Sequence, residues 1–266
     1  MPYPNPLKEK WSKDIATIGP FVQLPAAGIP EILSLAGFDF CIIDLEHGPI
    51  NIETAENMVR AADAAGLVPL VRVQSNAKEL ITEALSIGAG GIHVPHVSTK
   101  EEAEEAVHAA KFVTPEFSAG NRGVCPFVRS AGYSAKRTAN YYDRANKETV
   151  VILAIEGKEG LANLGEMLTI EGLDAVFVGP YDLSQSLGVT GQVTHPIVIQ
   201  KIRELCAQGK RAGVAVGIFI ESSEDAKRWI NEGVRYCCVD VDSAIFFKAS
   251  KKLVEGIRQV EVPPIK

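Results

Sequence analysis

Eight short, nearly continuous apolar runs alternate with amphipathic helical stretches, and this alternation restricts the fold more than any other feature of the chain. Uninterrupted hydrophobic runs are typical of strands covered on both faces, as in parallel sheets. Eight strand–helix pairs within 266 residues predict a (β/α)8 TIM barrel, formed as a single domain over residues 1–266. The runs lie at residues 21–25, 38–45, 68–73, 90–97, 149–156, 173–180, 214–220 and 234–242.

Local signals in the connecting segments agree with this architecture. Thr99 followed by Glu102 predicts a capping box at a helix start. A doubly wound open sheet is the alternative, but no glycine-rich fingerprint follows the first run. The segment 113–148 is long for a connection, so we expect an active-site loop on the carboxyl side of the barrel. Five glycines are expected to end helices: Gly66, Gly88, Gly172, Gly213 and Gly233.

The charge composition excludes several classes of partner. With 33 acidic and 27 basic residues, the net charge is −6, which argues against nucleic-acid or anionic-membrane binding. The first residues have no apolar core that could serve as a signal peptide, and no stretch is long enough to span a bilayer. Five cysteines, an odd number, indicate free thiols in a reducing compartment. These features predict a cytoplasmic protein with a small-molecule substrate.

Two acidic residues stand at the ends of neighbouring predicted strands, and helix-start sequence follows each of them. They are Glu156 and Asp182. Polar side chains at the carboxyl ends of barrel strands are typical of catalytic faces. Their oxygens could share one Mg²⁺ or Mn²⁺ ion, with positions left for water or substrate. The structural alternative is that both residues only cap the helices that follow.

A third strand ends in DLEHGP, which brings Asp44, Glu46 and His47 to the same edge. Asp44 could orient the His47 imidazole and tune its charge as an acid–base dyad. Glu46 could reach the cation through a water molecule. The alternative for His47 is an ordinary histidine of a surface loop.

Basic and imidazole side chains supply further candidates. Arg72 lies in an apolar strand, where it could grip a carboxylate or form a buried ion pair. Arg122 and Arg129 in the long segment are candidates for anion binding, or else solvated loop charges. His93 and His96 are three residues apart, so strand alternation predicts opposite faces; His96 is the site candidate and His93 a packed structural residue.

Two absences in the sequence restrict the chemistry. None of the eight runs contains a lysine, which argues against an aldolase that forms a Schiff base. No glycine-rich loop follows the last two runs, so a phosphorylated substrate is disfavoured.

Four segments carry a further signal: FDFCIIDLEHGP, GAGGIHVPHV, NRGVCPFVRSAGY and AIEGKEGLANLGEMLTIEGLDAVFVGPYDLSQSLG. Together they resemble the HpcH/HpaI aldolase family, whose members are metal-dependent class II pyruvate aldolases, and the resemblance extends over nearly the whole chain. It implies reversible retro-aldol cleavage of a 4-hydroxy-2-oxo acid to pyruvate and an aldehyde, through a metal-bound enolate.

The resemblance also implies roles for individual residues. Glu156 and Asp182 would hold Mg²⁺, Mn²⁺ or Co²⁺, and Arg72 would neutralise the developing enolate. His47, paired with Asp44, would transfer protons.

Further positions would contact the substrate. Backbone amides near Tyr181 and Asp182 would bind the pyruvate carboxylate, and Glu46, His96 and Arg122 complete the substrate-binding candidates.

Relatives in this family are usually hexamers, trimers of dimers with exchanged C-terminal helices, which fits the apolar last helix and its Phe246 and Phe247. The chain has Ser86 where the family often has aspartate, and His96 where it often has an apolar residue. Related branches act on oxaloacetate, either forming citrate or decarboxylating it in the manner of macrophomate synthase. A histidine near the enolate suits those reactions too, so they form the alternative function.

Overall fold

The computed structural model describes residues 5–136, 138 and 140–258, and its strands form a closed eight-stranded barrel. Every strand pairs in parallel with its sequence neighbours, and the last strand closes on the first. The prediction of a (β/α)8 barrel is therefore confirmed. The strands are β1 (Thr17–Val22), β2 (Phe40–Asp44), β3 (Val68–Arg72), β4 (Gly91–Val94), β5 (Val150–Ala154), β6 (Ala175–Val178), β7 (Ala215–Ile220) and β8 (Tyr236–Val241).

Helices surround the barrel, and several begin and end as the sequence predicts. Thr99 and Glu102 form the expected capping box, and all five predicted glycines adopt positive φ angles of 73° to 105°. The helices are α1 (Pro6–Ser12), α2 (Gly28–Leu35), α3 (Ile52–Ala65), α4 (Lys78–Ser86), α5 (Lys100–Ala110), α6 (Tyr141–Glu148), α7 (Lys158–Met167), α8 (Pro180–Ser186), α9 (Pro196–Ala212), α10 (Ser223–Asn231) and α11 (Asp242–Arg258).

The barrel separates two apolar layers. One fills the barrel interior and includes Phe21, Phe40 and Tyr236, while a larger one lies between the strands and the outer helices. Leu7 of α1 is fully buried in the interior layer, so α1 closes the amino-terminal end of the barrel. The active face is thereby left at the carboxyl ends of the strands.

The long segment between α5 and β5 does not lie where the sequence analysis placed it. Helix α5 intervenes after β4, so the chain has already returned to the amino-terminal end of the barrel when this segment starts. Lys111 anchors it there, because its Nζ donates to the carbonyl oxygens of Asn146 and Thr149 at 2.7 and 2.8 Å. The prediction of a carboxyl-side active-site loop over residues 113–148, of which 137 and 139 lie outside the described residues, is wrong for this chain.

All five cysteines are free thiols. In the described part of the chain, no helix combines the length and the apolar character needed to cross a bilayer.

Candidate active site

Glu156 and Asp182 converge at the carboxyl ends of β5 and β6, on either side of Gly179. The point where a Cβ atom on Gly179 would lie is 3.3 Å from Glu156 Oε1 and 3.5 Å from Asp182 Oδ2. The absence of a side chain at Gly179 therefore leaves open a gap bordered by two carboxylate oxygens. Neighbouring strands of a parallel barrel bring their ends together in this way without further adjustment.

The Glu156 carboxylate is buried and incompletely paired. Burial raises its pKa, the negative charges of Asp182 and Glu46 raise it further, and His96 and Arg72 oppose this. His96 Nδ1 lies 2.9 Å from Glu156 Oε2, yet among the described residues this oxygen has no hydrogen-bond partner. The contact thus has the distance but not the alignment of a hydrogen bond, and we treat it as electrostatic. A buried carboxylate oxygen in this state is suited to an added cation.

Arg72 at the end of β3 is held in a fixed orientation. Its Nε and Nη2 donate to the two oxygens of Asp44, both at 2.8 Å, and its guanidinium lies 4.5 Å from the Phe21 ring centroid. Burial alone would raise the pKa of the fully buried Asp44, but the Arg72 guanidinium and the Gln23 amide hold it below its ordinary value. The Asp44 and Arg72 pairing preorganises a positive charge at the site.

The side chains of Asp44 and His47 do not form the predicted hydrogen-bonded dyad. Asp44 accepts from the backbone N–H of His47 at 3.2 Å, while its carboxylate faces Arg72 and Gln23 instead of the imidazole. The His47 side chain is 62% exposed, and its Nε2 lies 3.8 Å from Glu46 Oε2. Sequence proximity misled the prediction because Arg72, from the next strand, lies directly beside Asp44 in the sheet register.

Glu46 connects the two halves of the site. Its Oε2 lies 3.1 Å from Arg72 Nη1, and its Oε1 lies 2.9 Å from His96 Nε2. His96 in turn reaches Glu156, so one imidazole bridges two carboxylates. His96 has a φ of +54°, which a non-glycine residue adopts only at some cost in free energy.

The expectation that His93 and His96 cannot both face the barrel interior is wrong. His93 is fully buried inside the barrel, with its ring 4.7 Å from Phe177, and burial lowers its pKa to about 3. His96 lies beyond the end of β4, where its left-handed backbone breaks the strand alternation. Both side chains therefore turn to the barrel axis, at different heights.

Two other candidates lie outside this cluster. Tyr181 directs its hydroxyl to Glu221 Oε2 at 2.7 Å, and this bond raises the pKa of the phenol. Arg122 is contradicted as a substrate contact of this chain's site, because it lines a cavity with Gly90 and Thr149, at the amino-terminal ends of β4 and β5. Its segment follows α5, which explains the displacement.

Sequence reasoning missed Gly179 and Gln23. Gly179 precedes a proline at a strand end, a signal for a close approach that could have been recognised. Gln23 lies just beyond β1, where its Nε2 donates to Asp44 Oδ2 at 2.9 Å. A glutamine in an apolar run gives no comparable signal.

The donor set fits a hard divalent cation only if other ligands complete the shell. Among the described residues, no group of three or more His, Cys, Asp or Glu side chains is arranged to hold a metal. Glu156 and Asp182 offer carboxylate oxygens around an open gap. Magnesium is commonly bound by one or two carboxylates together with water and substrate oxygens, and the gap suits that arrangement.

The fold is a TIM barrel with an acidic pair and a buried arginine at the carboxyl ends of its strands. Residues 17–249 match the family described as HpcH/HpaI aldolase/citrate lyase. The chain belongs to this family, and it is a class II aldolase, a carbon–carbon lyase.

Individual relatives agree over almost the whole length. A 5-keto-4-deoxy-D-glucarate aldolase of Escherichia coli O6:H1 is 33% identical over 257 residues, 97% of this chain and 98% of that protein. The crystal structure of an HpcH/HpaI aldolase/citrate lyase family protein from Burkholderia cenocepacia J2315 aligns with a TM-score of 0.91 and 33% identity, over 96% of this chain and all of that chain. The crystal structure of citrate synthase SbnG aligns with a TM-score of 0.85 and 29% identity, over 95% of this chain and 97% of that chain.

Proposed function

We propose that the protein catalyses reversible aldol cleavage of a 4-hydroxy-2-oxo acid to pyruvate and an aldehyde. The observation that carries the proposal is the convergence of the Glu156 and Asp182 oxygens beside the fixed Arg72 guanidinium. 5-Keto-4-deoxy-D-glucarate, the compound in the name of the E. coli relative, has this arrangement of oxo and hydroxyl groups. Its retro-aldol cleavage yields pyruvate and tartronate semialdehyde, and we propose it as the first substrate to test.

The cofactor in this proposal is Mg²⁺, Mn²⁺ or Co²⁺, held by Glu156 and Asp182. A bound divalent ion stabilises negative charge that develops on the 2-oxo oxygen of the substrate during cleavage. The gap at Gly179, bordered by Glu156 Oε1, supports this assignment, and so does the buried Oε2, which has no hydrogen bond with the described residues.

Arg72 is the second source of positive charge for the developing enolate. Asp44 engages Nε and Nη2, which leaves Nη1 as the group nearest to the acidic cluster, 3.1 Å from Glu46 Oε2. Asp44 is a positioning residue, since it fixes the guanidinium without facing the open site. Removing one preorganised donor of this kind from an oxyanion site typically costs about 3 kcal/mol of transition-state stabilisation.

We assign the proton transfer at the 4-hydroxyl group to His47, with Glu46 beside it. The exposed imidazole stands at the rim of the face, within 3.8 Å of the Glu46 carboxylate. A base in that position can accept the hydroxyl proton as the carbon–carbon bond breaks and return it in the reverse reaction.

The backbone N–H groups of Tyr181 and Asp182 are assigned to the pyruvate carboxylate. Leu183 donates the first intrahelical bond of α8, to Gly179 at 3.0 Å, so these two amides precede the helical ladder. Orphan amides at a helix start are suited to carboxylate oxygens.

Coupling pyruvate release to lactate dehydrogenase tests the proposal. We expect 5-keto-4-deoxy-D-glucarate cleavage after chelation and Mn²⁺ or Mg²⁺ add-back, and its loss in Glu156→Gln and Asp182→Asn variants that keep the wild-type fold. Glu204→Gln, on the exposed face of α9, is the matched control. Full activity of either site variant would disprove the assignment of the acidic pair.

The second candidate is a reaction of oxaloacetate, favoured by the similarity to citrate synthase SbnG and by His96 at the site. Thiol release from acetyl-CoA and oxaloacetate would indicate citrate formation. Metal-dependent loss of oxaloacetate without acetyl-CoA would indicate a decarboxylase. Binding of pyruvate without exchange of its methyl protons would indicate a barrel that binds 2-oxo acids without turnover.

We further propose a cytoplasmic homohexamer, a trimer of dimers in which α11 packs on a neighbouring subunit. Phe246 and Phe247 on α11 are 71% and 62% exposed in the single chain, and Leu253 and Ile257 follow on the same helix with similar exposure. Apolar surface of this extent is typical of a subunit contact. Light scattering of the purified protein tests the assembly, and a monomeric mass at micromolar concentration would disprove it.

A further inference from the structure

A cavity of about 300 Å³ opens at the amino-terminal end of the barrel, away from the acidic pair. It lies between the turn that precedes β4, at Gly88 to Gly90, and helix α6. Thr149, which also lines it, precedes β5, whereas Glu156 follows the same strand. The full length of β5 therefore separates this cavity from the site described above.

Arg122 is the unusual residue of this cavity. It is only 7% exposed, and its guanidinium lies 4.5 Å from the Phe112 ring centroid. Its backbone N–H donates to the Lys111 carbonyl oxygen at 2.9 Å, but the guanidinium has no hydrogen bond or ion pair with the residues described in the structure. A buried guanidinium without an anion is unfavourable, and burial lowers the pKa of Arg122 to about 10.

The other cavity residues leave an excess of positive charge. Arg129 is neutralised by Asp63 at 2.6 Å, and the Glu148 carboxylate accepts the backbone N–H of Asn5. Lys136 reaches the Ser130 carbonyl oxygen at 3.5 Å. The Ser130 hydroxyl is buried with no hydrogen-bond partner in the described part of the chain. Among the described residues, four basic and two acidic side chains line the cavity: Arg122, Arg129, Lys136, Arg144, Asp63 and Glu148.

We propose that this cavity is a binding site for a small oxyanion, a phosphate or carboxylate group, held by the Arg122 guanidinium with Lys136 and the Ser130 hydroxyl. The planar guanidinium provides parallel donors that match either oxyanion. The Ser130 hydroxyl and the Lys136 ammonium group line the same cavity and add two further donors. The site is separate from the catalytic one, and occupation of one does not require the other.

The test uses thermal denaturation and calorimetric titration of the full-length protein with inorganic phosphate and, separately, acetate, against chloride at equal ionic strength. Tm of the wild type is expected to rise with phosphate or acetate, and the tighter of the two identifies the type of ligand group. Arg122→Met, which keeps the stem length, should weaken binding by about tenfold or more, since a hydrogen-bonded charge is lost. Arg211→Gln, exposed on α9, removes the same charge elsewhere and should bind as the wild type does.

The Tm of Arg122→Met without added anion distinguishes a binding role from a structural one. If Arg122 only stabilised the fold, its replacement would lower Tm. We expect the anion-free Tm to stay the same or rise, since an unpaired buried charge disappears. If the variant fails to fold, Lys136→Gln at the cavity mouth must weaken phosphate or acetate binding instead. Glu156→Gln should keep the response, which separates this site from the catalytic one. No stabilisation beyond chloride, or an unchanged response in the Arg122 and Lys136 variants, would overturn the proposal.

Discussion

Gly179→Ala is expected to weaken the proposed metal site while leaving the barrel intact. The added methyl carbon would lie 3.3 Å from Glu156 Oε1 and 3.5 Å from Asp182 Oδ2, so it would occupy the gap between the two carboxylates. The backbone at Gly179 has φ −87° and ψ 106°, which alanine adopts without strain. Contacts at these distances require shifts of only a few tenths of an ångström, so the global fold should be retained.

The expected loss of Mn²⁺ affinity is large because the added methyl group would contact both proposed ligands, Glu156 and Asp182. Changes beside metal ligands commonly weaken metal affinity by about 10- to 100-fold. A methyl group between the ligands should reach the upper end, about 2.7 kcal/mol of Mn²⁺ binding free energy. Pyruvate release should fall in parallel at subsaturating Mn²⁺.

The assay is Mn²⁺ titration by calorimetry, with circular dichroism to verify the fold. Gly157→Ala is the matched control: it lies next to Glu156, its φ is −123°, and its Cβ would meet only Ser186 Oγ at 3.8 Å. It should bind Mn²⁺ as the wild type does. Unchanged Mn²⁺ affinity in a folded Gly179→Ala variant would refute the assignment of the gap.

Three further outcomes are expected. Glu156→Gln should raise Tm of the metal-free protein at pH 7 but not below pH 4.5. The pKa of Glu156 is raised in the folded state, so its ionisation destabilises the fold as pH rises. A lower Tm at pH 7 would contradict this. Arg72→Met should cost about 3–5 kcal/mol in urea unfolding, since it leaves Asp44 charged and buried. In the wild type, ionised Asp44 stabilises the folded state above pH 3.8, and this stabilisation is lost as pH falls through its lowered pKa. The free energy of unfolding of the variant should not show this pH dependence. Gly19→Ala should destabilise the barrel by about 3 kcal/mol, because its Cβ would lie 2.1 Å from the Phe40 carbonyl oxygen; wild-type stability in calorimetry would exclude this packing.

The strands were predictable because their apolar runs are covered on both faces, and each predicted run overlaps an observed strand. The first strand differs from its predicted position. It was expected at residues 21–25 but occupies Thr17–Val22, since Gly19 and Pro20 read as a turn. Gly19 lies there because the Phe40 backbone approaches closely, and the β1–β8 register shifts between Gly19 and Phe21. Such contacts between distant segments leave no local pattern.

Some features of the candidate site could also be predicted from the sequence, and others could not. Residues at strand ends, such as Glu156 and Asp182, follow from topology once the barrel is recognised. The pairing of Asp44 depends on the register between strands, and its carboxylate binds Arg72 of the next strand rather than the imidazole of His47, three residues along the chain. Arg122 was misplaced because the helix before its segment reverses the chain direction. His96 adopts a backbone conformation that strand periodicity does not predict.

The charge balance at the carboxyl face has a kinetic consequence. Among the described residues, four carboxylates cluster here with the Arg72 guanidinium, those of Asp44, Glu46, Glu156 and Asp182. A dianionic sugar acid approaching this face would meet a repulsive potential, which slows association and weakens the encounter. A divalent cation in the proposed gap would weaken this repulsion, so the cation is expected to add first and the acid second.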